Sequence, residues 1–319
     1  NYAPQEYFDR FPLEETKLPE GYRENDLDDV PVAHAKMAHN PWLKRIRATN
    51  QWKPAIQAYL ACTAMVDDLI GQIVEALEKS DYADNTIIVF YSDNGGYAYP
   101  PKKTDPEGYA DIPATSNLPL RSGKASLYEG GTREPGIVVW PGKVKAGTTA
   151  DFLMQSTDLY PTLIRVAGAE RRADQKLDGF DQSEALTGGA SPRRRVFCHF
   201  PHGNATRDSV MDGFYAGTYV RKGDWKLIRF YGLGTDHTDL LELYNLRDDL
   251  SETKNRAAQN PAKTTELNAL ITRFLADTEA VVPARNPAYK PSAGADPAAK
   301  TKAKAKKKNA APKAAPVLD

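Results

Sequence analysis

The run Thr86-Ile87-Ile88-Val89-Phe90-Tyr91-Ser92-Asp93-Asn94-Gly95-Gly96 changes character half-way along. Its first half is β-branched and aromatic and apolar on both faces, the pattern of a short strand buried within a parallel sheet. Its second half is polar and ends in two glycines, which let the backbone bend sharply. In an open α/β sheet, ligands bind at the carboxyl ends of the strands. Asp93 places a carboxylate there and Asn94 an amide oxygen, hard donors suited to Ca²⁺ or Mg²⁺. The same residues also make good turn chemistry. Taken alone, the stretch leaves metal site and plain turn both open.

A second stretch narrows the choice. Gly123-Lys124-Ala125-Ser126-Leu127-Tyr128-Glu129-Gly130-Gly131-Thr132-Arg133-Glu134-Pro135 runs into Gly136-Ile137-Val138-Val139-Trp140 and then Pro141-Gly142. Together the two stretches resemble the sulfatase family of the alkaline-phosphatase superfamily. There a strand ends in Ser-Asp-Asn-Gly, and a later Gly-Lys-X-Ser-Leu-Tyr-Glu-Gly-Gly-X-Arg-X-Pro precedes another strand and Trp-Pro-Gly. The resemblance extends from Tyr7 to Tyr289.

The resemblance implies a sulfuric ester hydrolase acting on a sulfated small molecule or glycan. It implies Asp93 and Asn94 as Ca²⁺ ligands and Lys124 as the catalytic cation that meets the sulfate. Ser126, Tyr128 and Glu129 would hold the Lys124 loop, and Arg133 would anchor it through a carboxylate. Without the family, Lys124 reads as a surface lysine in a glycine loop. Sulfatases use a formylglycine made from Cys or Ser in Cys/Ser-X-Pro-X-Arg. No cysteine or serine of this chain is followed by that pattern. The expectation is therefore the C-terminal portion of a sulfatase, with the formylglycine upstream and the chain inactive alone. A phosphoryl or phosphonate hydrolase of the same superfamily, and a non-catalytic glycan-binding relic, are the alternatives. The family implies a periplasmic, secreted or lysosomal compartment.

Composition sets wider bounds. The 319 residues are 41% hydrophobic, enough for a large core, and carry a formal net charge of +0, which points away from nucleic acid. No apolar run has the length of a membrane span. Cys62 and Cys198 lie in no metal-type spacing, and nothing supports a disulfide between them.

Along the chain, residues 1–30 read as a surface arm. His34 and His39 read as solvated or capping. Pro54–Lys79 carries an apolar stripe from Ile56 to Leu77 at helical steps. Asp67 and Asp68 flank that stripe and read as solvated or salt-bridged. The loop after Gly96 suits substrate contact; Tyr97 and Arg121 are candidates, the latter for positive potential. Asp158 reads as a helix cap. Val196–Phe200, Thr218–Arg221, Trp225–Tyr231 and Leu241–Leu246 read as strands, with a hairpin turn at Lys222-Gly223-Asp224. A helix carrying Leu267, Leu270, Ile271 and Phe274 follows. His199 and His202 sit at a strand end; packing is one reading, substrate contact by His202 the other. The expected fold is α/β: a mostly parallel sheet flanked by helices over residues 1–190, and a smaller C-terminal α+β antiparallel-sheet subdomain over 191–290. A disordered Lys/Ala/Pro-rich tail would cover 291–319.

Overall fold

The structure, a computed structural model, describes residues 3–17, 49, 51–96, 117–203 and 214–284. The chain divides into two compact units, Asn1–Val282 and Pro283–Asp319, and every element below belongs to the first. His34, His39, Tyr97 and the tail from 291 lie outside the described residues.

The C-terminal half repays the alternating pattern of its strands. Strands β3 (Val196–Phe200), β4 (Gly217–Lys222), β5 (Trp225–Phe230) and β6 (Leu240–Asn245) form an antiparallel sheet in sequence order. Lys222 pairs with Trp225 across the expected turn, where Gly223 has φ +60°. Successive residues face opposite ways. Val220, Leu227 and Leu243 pack under helix α6 (Pro261–Asp277), against Leu267, Ile271 and Leu275. Tyr219, Ile228, Phe230 and Tyr244 face the other way, and there they meet Leu127 and Tyr128 of the Lys124 loop. The sheet is thus covered by a helix on one face and by the candidate site's own loop on the other.

The first half differs from expectation in one respect. Strand β1 (Ile88–Tyr91) pairs with β2 (Gly136–Val139) antiparallel, Ile88 opposite Val139 and Tyr91 opposite Gly136. All strand pairs among the described residues are antiparallel. Apolar character on both faces tells nothing of strand direction. Direction is set by the connection, and here the chain returns to the carboxyl end of β1, where the Ser92 N–H donates to the Pro135 carbonyl at 3.3 Å. The faces of β1 are not fully covered either; Phe90 is 50% and Tyr91 47% exposed.

Helix α2 (Trp52–Glu78) follows the expected span, and the short α1 (Gln5–Asp9) packs on it. The Gln57 side-chain amide donates to the carbonyls of Phe8 and Phe11, and Arg10 pairs with Asp68. Most of the apolar stripe stays open, Ile73 at 72%. No described helix is long and apolar enough to cross a membrane. Neither Cys62 nor Cys198 forms a disulfide with another described residue.

Asp158 stands at the N-cap position of the helix that follows, as expected, but its side chain makes no cap bond to that helix. Its carboxylate accepts from the Gln155 and Phe180 backbone N–H groups and from Arg193 Nε at 2.7 Å, with a second Arg193 contact beside it. Burial would raise its carboxyl, but the Arg193 and backbone donors outweigh it and hold the group below the usual carboxylate range. This buried network ties helix α4 (Leu159–Val166) to the segment that follows the short helix α5 (Ser183–Leu186) and enters β3.

Candidate active site

Two loops meet at the carboxyl end of β1. The first is Ser92–Gly96; the second begins at Asn117 and passes through Lys124 to the short helix α3 (Glu129–Thr132). Ser92 Oγ donates to the Asn94 carbonyl at 2.8 Å, closing the turn, and the Asn94 amide nitrogen donates to the Asp93 carboxylate. That arrangement leaves the Asn94 side-chain oxygen as an acceptor beside the Asp93 oxygens.

The second loop is stitched to the first by its backbone. The Lys124 N–H donates to the Gly96 carbonyl at 3.0 Å. Asn117 Nδ2 reaches three carbonyls, those of Gly96, Ser122 and Gly130, at 3.0, 2.9 and 3.3 Å. Gly95 is buried against Gly130. The Asp93 and Lys124 side chains are both exposed at this junction. Between the loops lies a cavity of about 330 Å³ lined by Ser92, Asn94, Gly96, Asn117 and Glu134 among others.

Glu134 adds a further oxygen donor. Among the described residues, its buried Oε1 has no hydrogen-bond partner. Burial pushes its carboxyl up, the neighbouring Ser92 hydroxyl works against that, and the charge of Asp93 adds to it. An unsatisfied carboxylate oxygen beside Asp93 and Asn94 is the chemistry of a hard cation. The residues present fit Ca²⁺ as a partial donor set, since the ion takes about six to eight oxygens. No cluster of three or more His, Cys, Asp or Glu suited to a metal occurs among the described residues.

The loop's other end is fixed to the C-terminal sheet. Glu129 is 3% exposed, and its Oε1 lies 2.9 Å from the ammonium of Lys226, itself fully buried on β5. Burial alone would raise the Glu129 carboxyl; Lys226 first, then Arg221 and Arg133, hold it low. Tyr128 donates its hydroxyl to Glu242 at 2.7 Å. Arg121, expected near substrate, has its guanidinium 3.7 Å above the Tyr128 ring and donates to the Glu252 carbonyl at 2.8 Å and the Tyr244 hydroxyl at 3.2 Å. His202 is exposed and meets the Phe200 ring edge-on at 6.0 Å. Asn117, Glu134 and Lys226 escaped the sequence reading. Glu134 fills a variable position inside the second recognised motif and Asn117 lies shortly before it, but Lys226 follows Trp225 in an otherwise ordinary strand.

Comparison with known proteins decides the family. The sulfatase family model matches residues 1–169, more than half of the chain, and a model for the C-terminal region of N-sulphoglucosamine sulphohydrolase matches 122–280. The chain belongs to the sulfatase family. A sulfatase from Formosa agariphila is 32% identical over 199 residues, covering 58% of this chain and 35% of its own length. An N-acetylgalactosamine-6-sulfatase from Sus scrofa is 29% identical over 238 residues, covering 70% and 43%. The solved structure of BT4656 in complex with its substrate D-glucosamine-2-N,6-O-disulfate superposes with a TM-score of 0.51 at 27% identity, over 70% of this chain and 40% of that one. The fold is therefore the sulfatase α/β fold in part, and this sulfatase chain spans less than half the length of these relatives.

Proposed function

We propose that these residues form part of the active site of a sulfuric ester hydrolase, and that its substrate is a sulfated carbohydrate. Asp93 and Asn94 would hold Ca²⁺, with Glu134 close by. When bound, the ion neutralises the sulfuryl oxygens of the ester. Lys124 supplies a compact ammonium for the same tetrahedral anion, in place before charge develops on the leaving oxygen. Gly95 and Gly130 let the two loops approach closely enough for both groups to act on one ester. The reading is carried by the hydrogen bond from the Lys124 N–H to the Gly96 carbonyl, which seats the lysine loop on the strand end bearing Asp93 and Asn94. The substrates in the names of the relatives, N-acetylgalactosamine 6-sulfate and a disulfated glucosamine, support a sulfated sugar.

Asp93, Asn94 and Lys124 bind and orient; none of them is offered as the nucleophile. The sulfatase nucleophile is a formylglycine, and the 319 residues contain no Cys or Ser followed by X-Pro-X-Arg. The chain by itself is accordingly expected to bind sulfate esters without turning them over. Calorimetry with glucosamine 6-sulfate, with and without Ca²⁺, tests this. Binding that needs Ca²⁺ and falls in Asp93→Asn supports it. Binding indifferent to Ca²⁺, or turnover of an aryl sulfate by this chain, contradicts it.

A further inference from the structure

Lys226 sits on the face of β5 that looks toward the Lys124 loop, sharing that face with Tyr219, Ile228 and Tyr244. It is fully buried. Its ammonium lies between Glu129 Oε1 at 2.9 Å and Glu252 Oε1 at 3.0 Å and 4.6 Å from the Tyr219 ring centroid. Glu252 is equally buried, and its other carboxylate oxygen accepts the backbone N–H of Glu129. Its φ of +51° is one that non-glycine residues adopt only where their surroundings impose it. Its carbonyl takes Arg121, at the head of the same loop. Both ends of the segment from Arg121 to Glu129 thus close on Lys226 and Glu252.

Packing alone does not call for this. A buried ion pair is commonly no better for stability than apolar side chains of the same volume. The sheet already has an apolar core under α6, on the face away from Lys226. What the charges add is direction: an ammonium placed between two carboxylates accepts only one seating of the segment that carries Glu129.

We propose that Lys226, with Glu252, is a positioning residue for Lys124: by fixing Glu129 it holds the loop in the one register that lets the Lys124 N–H reach Gly96. The C-terminal sheet then serves the site by seating a loop. The significance of that seating for sulfate chemistry rests on the function proposed above; the seating itself does not.

The test is amide hydrogen exchange on the full chain, comparing wild type with Lys226→Met. Exchange at the Lys124, Gly130 and Gly131 amides should rise by about tenfold or more, while amides of β4, β5 and β6 change by less than about twofold. A lysine that merely supports the sheet would loosen both sets together. Uniform loosening, or no change at Lys124, overturns the proposal. Should Lys226→Met fail to fold, Glu252→Gln carries the same comparison, since it keeps the side chain's shape and an oxygen for the Glu129 N–H. Inorganic sulfate binding by the wild-type chain is measured in parallel. Absence of sulfate binding together with loop-selective exchange would count against the sulfatase site and leave the positioning role standing.

Discussion

The carbonyl oxygen of Gly130 lies 1.9 Å from the point where a Cβ on Gly95 would stand. No side chain fits in that gap, and the obstacle is backbone, which cannot swing aside. Gly95→Ala should therefore push the two loops apart and destabilise the chain by about 2 kcal/mol or more. Gly71, in the middle of α2, has nothing within 4 Å of its would-be Cβ. Gly71→Ala should raise stability by about 0.5–1 kcal/mol through helix propensity. Urea denaturation of both variants checks the contrast.

Arg193 offers a second test. With Arg193 replaced by Met, Asp158 keeps its backbone donors but stands buried without a cation. Breaking such a pair from one side costs about 3–5 kcal/mol. The loss should show in the denaturation midpoint. Binding of sulfate esters should be unchanged in the fraction that remains folded, because Asp158 serves the fold.

Glu266 gives a pH signature. Hydrogen bonds from Lys222 and then Lys263 pull its carboxyl from 4.5 to about 2. A depressed carboxyl contributes stability that is complete above the unfolded value near 4.5. That contribution is lost as pH falls toward 2. The difference in urea midpoint between wild type and Glu266→Gln should accordingly hold steady above pH 5 and shrink between pH 4.5 and about 2. The site is exposed to solvent, so the difference should be small and should diminish further in high salt.

The C-terminal sheet was legible because two signals agreed there. Alternation at Tyr219-Val220, Leu227-Ile228 and Leu243-Tyr244 gave the faces, and Gly223 gave the turn. The pairing of β1 was not legible. Val89 and Phe90 are apolar whichever way a neighbour runs, and the neighbour's direction depends on a connection of some forty residues. At the site, the Gly-Lys and Glu-Gly-Gly spacings marked the loop, but not what holds it. A lysine in a strand reads as a solvent-facing residue, and only its carboxylate partners, far along the chain at Glu129 and Glu252, show that Lys226 is buried. Arg121 shows the converse. Its charge suggested a ligand, and the structure places it on Tyr128, Tyr244 and Glu252.

The central claim is that Asp93 and Lys124 act on the same anion. A double-mutant cycle on glucosamine 6-sulfate binding in the presence of Ca²⁺, with Asp93→Ala, Lys124→Ala and the pair, measures this directly. Two groups that share one ligand should be coupled, by about 1 kcal/mol or more. Losses that add within about 0.3–0.5 kcal/mol would show that the two residues serve separate places, and would contradict the account.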